Sequence, residues 1–268
     1  MKNGNKVAPA EKTPLELAQD LVTETLATVK ERAAWILKAA DQGFVTFTPN
    51  TGKSKQNLTD IKDGKTVEKL DPTVKGYDIP VLPVEVGLAR RRVQRWIDGN
   101  GAEPKSSIQF GSMIRASNDP HGRGKAIDIN DLAQTTSVDP TLQIIEDLDK
   151  NIHTAYGLGL PFQGEFFDPA DKLESKQKAA EEAADKNAKT AAVSGALMKF
   201  TAHSYKSTAT KDDKGNWKWK AEEVDELGVA VDRLKSQKLK DKIAERRKDG
   251  LTFVVFPDND AHLHVDVR

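Results

Sequence analysis

Two short segments, far apart in the chain, carry three of its five histidines. The first runs from His121 past two glycines to Ala126 and Asp128, and the second contains His262 and His264. Each segment has a pattern typical of a β-strand, in which alternate side chains point to the same side. If the fold brings the two segments together, their imidazoles and the carboxylate lie in one place. This possible cluster constrains the fold more than any other feature of the sequence.

The strand pattern predicts which of these side chains can act together. His262 and His264 share one face of their strand, and the glycines after His121 give its loop the freedom to aim the imidazole at Asp128. A lone strand histidine is more often a core or surface residue, but the joint spacing favours a metal site. Two histidines and one carboxylate leave a fourth tetrahedral position open to water, as in catalytic zinc sites, where the pKa of the water falls to about 7.

Composition limits the alternatives. The chain has no cysteine, so histidine and carboxylate must hold any zinc. Lysine plus arginine equals aspartate plus glutamate at 41 each, which leaves no overall field to attract nucleic acid or an anionic membrane. No apolar run reaches the roughly 20 residues that span a bilayer, and the polar N-terminus lacks the apolar core of a secretory signal. We expect no nucleic-acid partner, no stable membrane insertion, and synthesis in the cytoplasm without a secretion signal.

Apolar periodicity and turn residues predict an α+β fold. The predicted helices cover residues 13–40, 84–97, 139–155, 171–189 and about 229–248. The predicted strands cover residues 44–47, 107–114, 125–129 and 251–256, together with the second histidine segment. A hairpin is expected between Tyr205 and Trp219, with its turn at 212–216.

The expected architecture is a small antiparallel sheet that carries the zinc and is flanked by helices. Residues 1–80 are interpreted as a helical N-terminal extension and linker, of which 48–80 is a loose connection or small hairpin. Residues 81–268 are interpreted as the zinc-binding domain, with a charged helix and hairpin insertion at about 169–249.

The two histidine segments also resemble known motifs. The pattern His-x-x-Gly-x-Ala-x-Asp, from His121 to Asp128, resembles the zinc motif of the D-Ala-D-Ala carboxypeptidase and dipeptidase metallopeptidases. The later His-x-His resembles the second motif of the wider group that includes lysostaphin, the penicillin-insensitive murein endopeptidases and Hedgehog domains. The resemblance covers residues 106–131 and 251–268.

The resemblance implies a role for each residue. His121, Asp128 and His264 would be zinc ligands, and His262 would be a non-ligand histidine that acts as general base or stabilises the transition state. Arg115 ends a Ser-Met-Ile-Arg sequence, which resembles the Ser-x-x-Arg strand whose arginine stabilises the developing oxyanion in the carboxypeptidase branch. The alternative for Arg115 is an ordinary surface salt bridge.

Three positions depart from the carboxypeptidase pattern. Asp119 stands where that branch often has serine, Ala261 stands where it has a catalytic glutamate, and Arg115 lies closer to His121 than is usual there. Because alanine cannot accept a proton, the base is expected to be His262, as in the endopeptidase-like branches. The bond that is cut therefore stays open between an endopeptidase and a carboxypeptidase specificity.

The sequence predicts a zinc metallopeptidase or amidohydrolase whose substrate, by resemblance, is the peptide of bacterial peptidoglycan. The alternative is a non-catalytic, zinc-stabilised binding module of the Hedgehog type. As a cell-wall enzyme, a lysin or a toxin, the chain would act in the bacterial envelope after release or after delivery by phage-type or injection-type machinery.

Overall fold

The computed structural model describes residues 11–49, 53–72, 74, 79–115, 120–130, 137–161, 166, 210–211, 217–218, 231, 234–258 and 262–268. Within these ranges the chain forms six helices and eight strands. The helices are α1 (Pro14–Thr23), α2 (Val29–Asp41), α3 (Ser54–Asp63), α4 (Leu82–Asp98), α5 (Val138–Asp147) and α6 (Gln237–Lys248). The strands are β1 (Val45–Phe47), β2 (Ile108–Phe110), β3 (Ala126–Ile129), β4 (Ala155–Pro161), β5 (Thr210–Lys211), β6 (Trp217–Lys218), β7 (Thr252–Asp258) and β8 (Leu263–Val267).

The main sheet has six strands in the order β1-β2-β3-β8-β4-β7. The α+β class is confirmed, but the expected antiparallel sheet is wrong because the pairs β1–β2 and β4–β7 run parallel. Parallel neighbours need a long crossover connection. The chain supplies one between β1 and β2, which contains α3 and α4, and another between β4 and β7, which contains α6. Strand β8 lies between β3 and β4 and is antiparallel to both.

The predicted helix over 13–40 is two helices, which corrects the sequence expectation. Thr13 and Glu16 form a capping box at the start of α1, and Thr28 and Glu31 form a second one at the start of α2. Each box satisfies backbone N–H groups that a helix end leaves without partners, so the second box begins a new helix after a break at 24–28. The indole Nε1 of Trp35 donates to the Leu21 carbonyl at 2.9 Å and ties the helices together.

Residues 48–80 contain helix α3, where a loose connection or hairpin was expected. Leu58 and Ile61 bury its apolar side, and Gly64 ends it with a positive φ of 70°. On the same helix the Ser54 hydroxyl donates to the Gly111 carbonyl, and α3 is thereby anchored to the segment after β2. The helix was missed because most of its residues are polar.

The N-terminal part of the chain shares the main sheet with the remainder. Val45 pairs with Ile108 at the start of the β1–β2 register, and both side chains are buried. Strand β1 belongs to the predicted extension and β2 to the predicted zinc-binding domain. The division of the chain at residue 80 stays a prediction.

Much of the predicted insertion at 169–249 lies outside the described residues, including Tyr205 and Trp219. The expected hairpin is confirmed at its centre, where β5 and β6 pair in antiparallel with Lys211 opposite Trp217. Helix α6 packs on α5, and Lys242 Nζ lies 2.6 Å from Glu146 Oε2. No helix within the described ranges is long and apolar enough to cross a bilayer.

Candidate metal centre

The register of β3 and β8 places a carboxylate directly beside an imidazole. Asp128 pairs with His264, and Ala126 pairs with Asp266 one step along the same face. Asp128 and His264 are 3% and 6% exposed, so both polar side chains are removed from water. The pairing of β3 with β8 thus brings two of the predicted ligands side by side.

His121 reaches the same place from a tight turn before β3. The Gly124 N–H donates to the His121 carbonyl at 3.0 Å, and the Lys125 N–H donates to the Pro120 carbonyl at 2.8 Å. Gly124 has a φ of +64°, a conformation that favours glycine. This turn folds His121 back over the start of β3 and leaves its imidazole fully buried.

The turn is held from outside by the segment that leads into α4. The Asp71 N–H donates to the Gly122 carbonyl at 2.8 Å, and the Val81 N–H donates to the Gly124 carbonyl at 3.1 Å. A Cβ added at Gly124 would lie 3.0 Å from Cγ2 of Ile79, so this segment packs closely on the turn. Residues that the sequence assigned to a linker thus fix the position of His121.

Three possible ligand atoms of this site form a nearly equilateral triangle. His121 Nε2 and His264 Nδ1 each lie 3.1 Å from Asp128 Oδ1, and they lie 3.2 Å from each other. A tetrahedral zinc ion with bonds of about 2.0–2.1 Å separates its ligand atoms by roughly 3.3–3.4 Å. The observed separations are only slightly shorter, and the three side chains therefore form a buried group that could bind a metal ion.

The remaining nitrogen of each of these two imidazoles faces an oxygen atom. His121 Nδ1 lies 3.1 Å from the Met113 carbonyl, and His264 Nε2 lies 3.3 Å from Oδ2 of Asp266. A proton on each outer nitrogen leaves the lone pair of the inner nitrogen facing the triangle. Metal-binding histidines are usually oriented by such oxygen atoms beside the ring nitrogen that does not bind the metal.

Strong electrostatic coupling accompanies the burial. Burial acts to raise the pKa of Asp128, but hydrogen bonds from His121, His262 and His264 outweigh it and hold this pKa far below its usual range. For His264, burial acts to lower the pKa, but Asp128 and Asp266 raise it to about 9. The metal-free site therefore stabilises a carboxylate beside a protonated imidazole, and metal binding has to displace that proton.

His262 lies beside the triangle and not in it. Its Nε2 is 3.2 Å from Asp128 Oδ1, and the residue is 7% exposed. The mutually close group of ligand atoms comprises His121, Asp128 and His264 and does not include His262. This third histidine of the site thus contacts Asp128 but lies outside the group of three possible ligands.

Arg115 lies at the outer side of Asp128. Its Nη1 is 3.5 Å from Asp128 Oδ2, and its side chain is 45% exposed. All five residues predicted from the sequence therefore meet in one region, and Asp128 contacts each of the other four. The roles assigned to Arg115 and His262 stay predictions.

Sequence reasoning missed Asp266, which contacts His264 from the side opposite to Asp128. The sequence did indicate this contact, because alternate residues of a strand share a face and Asp266 follows His264 by two positions. The Met113 carbonyl had no signal of its own in the sequence. Of the two remaining histidines, His153 is partly buried and its Nε2 lies 3.1 Å from the Arg268 carbonyl, while His203 lies outside the described residues.

Comparison of the chain with protein-family models, with curated proteins and with solved structures returned no significant match. The finding that the chain carries a buried group able to bind a metal ion therefore rests on the geometry of His121, Asp128 and His264.

Proposed function

We propose that the chain is a zinc-dependent peptidase that cleaves the peptide of bacterial peptidoglycan. One observation carries the proposal. The ligand atoms of His121, Asp128 and His264 have nearly the spacing of three corners of a tetrahedron, and an additional histidine lies beside the same carboxylate oxygen. The choice of substrate depends on the resemblance of the two segments to cell-wall metallopeptidases.

The donor set supports zinc as the ion. Two imidazole nitrogens and one carboxylate oxygen are typical of catalytic zinc sites with three protein ligands, and the chain has no cysteine to form a thiolate site. When bound there, zinc would supply a Lewis acid and a water of lowered pKa. The chain orients the two imidazoles through the Met113 carbonyl and the Asp266 carboxylate.

The position of His262 favours catalysis over a closed structural site. A closed site needs four protein ligands at similar mutual distances, but His262 is not a member of the mutually close group. A buried imidazole that is near the ligands without being one of them is suited to accept or return a proton at Nε2. We assign His262 this role.

Arg115 is assigned the stabilisation of negative charge. Its guanidinium is partly exposed and contacts Oδ2 of Asp128, the oxygen that is outside the ligand triangle. A fixed cation at the border of a buried site is most useful where charge grows during a reaction, as on the oxygen of a carbonyl under attack.

Burial of the group supports one alternative function, a zinc-stabilised binding module without catalysis. His121 is fully buried, and His264 and His262 are less than one tenth exposed. In such a module zinc would hold β3, β8 and the His121 turn together, and loss of zinc would lower stability with no turnover to lose.

Digestion of purified sacculi separates the two functions. The zinc-loaded protein is incubated with peptidoglycan of several chemotypes, with and without a chelator, and the soluble fragments are identified by mass spectrometry. The peptidase proposal predicts new muropeptides whose release stops with chelator. Absence of new fragments from every chemotype, with zinc bound at one ion per chain, would favour the binding module.

Two histidine variants refine the assignment. His262→Ala should retain zinc and lose turnover, because it removes the proposed base and no ligand. His153→Ala is the matched control, since His153 is only partly buried and contacts none of the ligands, and it should retain both. A His262→Ala protein with normal activity would refute the assignment of the base.

A further inference from the structure

Asp266 forms a second layer around the candidate metal centre. It lies two residues after His264 on the same face of β8, and its Oδ2 is 3.3 Å from His264 Nε2. The residue is 1% exposed. A buried carboxylate is costly unless it is paired, so its presence here calls for partners.

The neighbouring strand β4 leaves space for this carboxylate because the residue opposite it, Gly157, has no side chain. Across the strand pairs, Asp266 is opposite Ala126 on one side and Gly157 on the other. A Cβ added at Gly157 would lie 2.1 Å from Asp266 Oδ2 and 2.6 Å from an Nη atom of Arg268. Any residue larger than glycine would therefore occupy the position of the carboxylate.

Arg268 provides the opposite charge. Its Nε lies 2.7 Å from Asp266 Oδ1, while the other carboxylate oxygen faces His264. Asp266 thus has one carboxylate oxygen directed to each partner.

We infer that Asp266, held by Arg268 in the space left by Gly157, is the positioning residue of the metal centre, and that it orients His264 for metal binding. The inference rests on the proposed metal site. With its Oδ2 3.3 Å from His264 Nε2, the carboxylate favours the tautomer that is protonated at Nε2, in which the Nδ1 lone pair faces Asp128 and His121. Loss of such an outer partner lowers metal affinity by about 10-fold to 100-fold.

Zinc affinity of the purified full chain tests this inference. Competition with a chromophoric chelator gives the zinc dissociation constant for the unmodified protein and for Asp266→Ala and Asp266→Asn. Asp266→Ala should weaken zinc binding by at least about 10-fold. Asp266→Asn should weaken it less, because the amide keeps an oxygen that can accept a hydrogen bond from His264 Nε2 although the charge is lost. In the zinc-loaded protein, the Nε2 proton of His264 in a ring-nitrogen NMR spectrum should shift in Asp266→Ala.

Asp147→Asn is the matched control. Asp147 is also buried, at 2% exposure, and it is paired with Arg95, but it contacts no residue of the metal centre. Both aspartate variants should lose stability, so a change of zinc affinity in the Asp266 variants alone separates positioning from folding.

Each result has one meaning. Folded Asp266→Asn and Asp266→Ala proteins that bind zinc as tightly as the unmodified chain would overturn the inference and leave the metal site standing. Equal loss of zinc affinity in Asp147→Asn would also overturn it, because the effect would then be one of stability. Failure of the unmodified chain to bind zinc would refute the metal site, and the inference with it.

Discussion

Replacement of Gly157 by alanine tests the packing around Asp266 most sharply. The added Cβ would lie 2.1 Å from Asp266 Oδ2, whereas ordinary contacts of a Cβ begin at 3.4 Å. Because Gly157 is in the middle of β4, between β8 and β7, its backbone is held on both sides. The carboxylate therefore has to move by more than 1 Å, which disturbs its contacts with His264 and Arg268.

Whether Gly157→Ala raises or lowers the free energy of unfolding distinguishes a tightly packed position from an ordinary one. At an ordinary strand position, alanine in place of glycine would stabilise the fold by roughly 0.5–1 kcal/mol through lower chain entropy. Overpacking of a tight site costs about 1–3 kcal/mol, and the displaced ion pair adds to that cost. We expect Gly157→Ala to lower the free energy of unfolding by about 1–3 kcal/mol, measured by urea denaturation of the metal-free protein.

Gly99→Ala is the matched control for this measurement. The added Cβ would lie 3.6 Å from its nearest neighbour, and the φ of Gly99 is an ordinary −81°. This variant should change stability by less than about 0.5 kcal/mol in the destabilising direction. In an Asp266→Ala background the cost of Gly157→Ala should shrink, because the atom it meets is gone. Equal stability of Gly157→Ala and the unmodified protein would refute the described packing of Asp266.

The remaining predictions concern a buried acid and a helix cap. Among the described residues, neither carboxyl oxygen of Glu85 on α4 has a hydrogen-bond partner, and burial raises the pKa of Glu85 well above 4.5. Above pH 4.5 the unfolded state releases the Glu85 proton, whereas the folded state keeps it up to the raised pKa. The free energy of unfolding should therefore fall by about 1.4 kcal/mol per pH unit between 4.5 and the raised pKa. Glu85→Gln should abolish this slope in urea denaturation at a series of pH values, and an unchanged slope would contradict the assignment. Thr28→Ala removes the cap of α2 and should lower the free energy of unfolding by about 1 kcal/mol, whereas a neutral effect would contradict the described capping box.

The parts of the site that sequence could predict are those governed by local periodicity. Strand parity placed His264 and Asp128 on usable faces, and the positive φ of Gly124 agrees with the need for a glycine in the turn after His121. The same parity places Asp266 on the face of His264. The sequence does not show, however, which residues of the neighbouring strands lie beside Asp266, so its role could not be predicted.

Long-range pairing was not predictable in the same way. The parallel pairs at both ends of the sheet depend on crossover connections, and no local pattern in Val45 or Thr252 distinguishes parallel from antiparallel pairing. The break before α2 had a local signal in Thr28 and Glu31, but the apolar periodicity continued across it and hid it. Helix α3 was hidden by its polar composition, although Gly64 marks its end.

The most direct test of the account is the metal content of the purified protein and of His264→Ala, by elemental analysis after zinc loading and removal of excess ion. His264 contributes Nδ1 to the ligand triangle, so its loss leaves too few ligands to hold zinc. The account predicts one zinc ion per unmodified chain and none retained by His264→Ala, with His153→Ala unchanged. An unmodified chain that retains no zinc, or a His264→Ala chain that retains a full equivalent, would contradict the central claim.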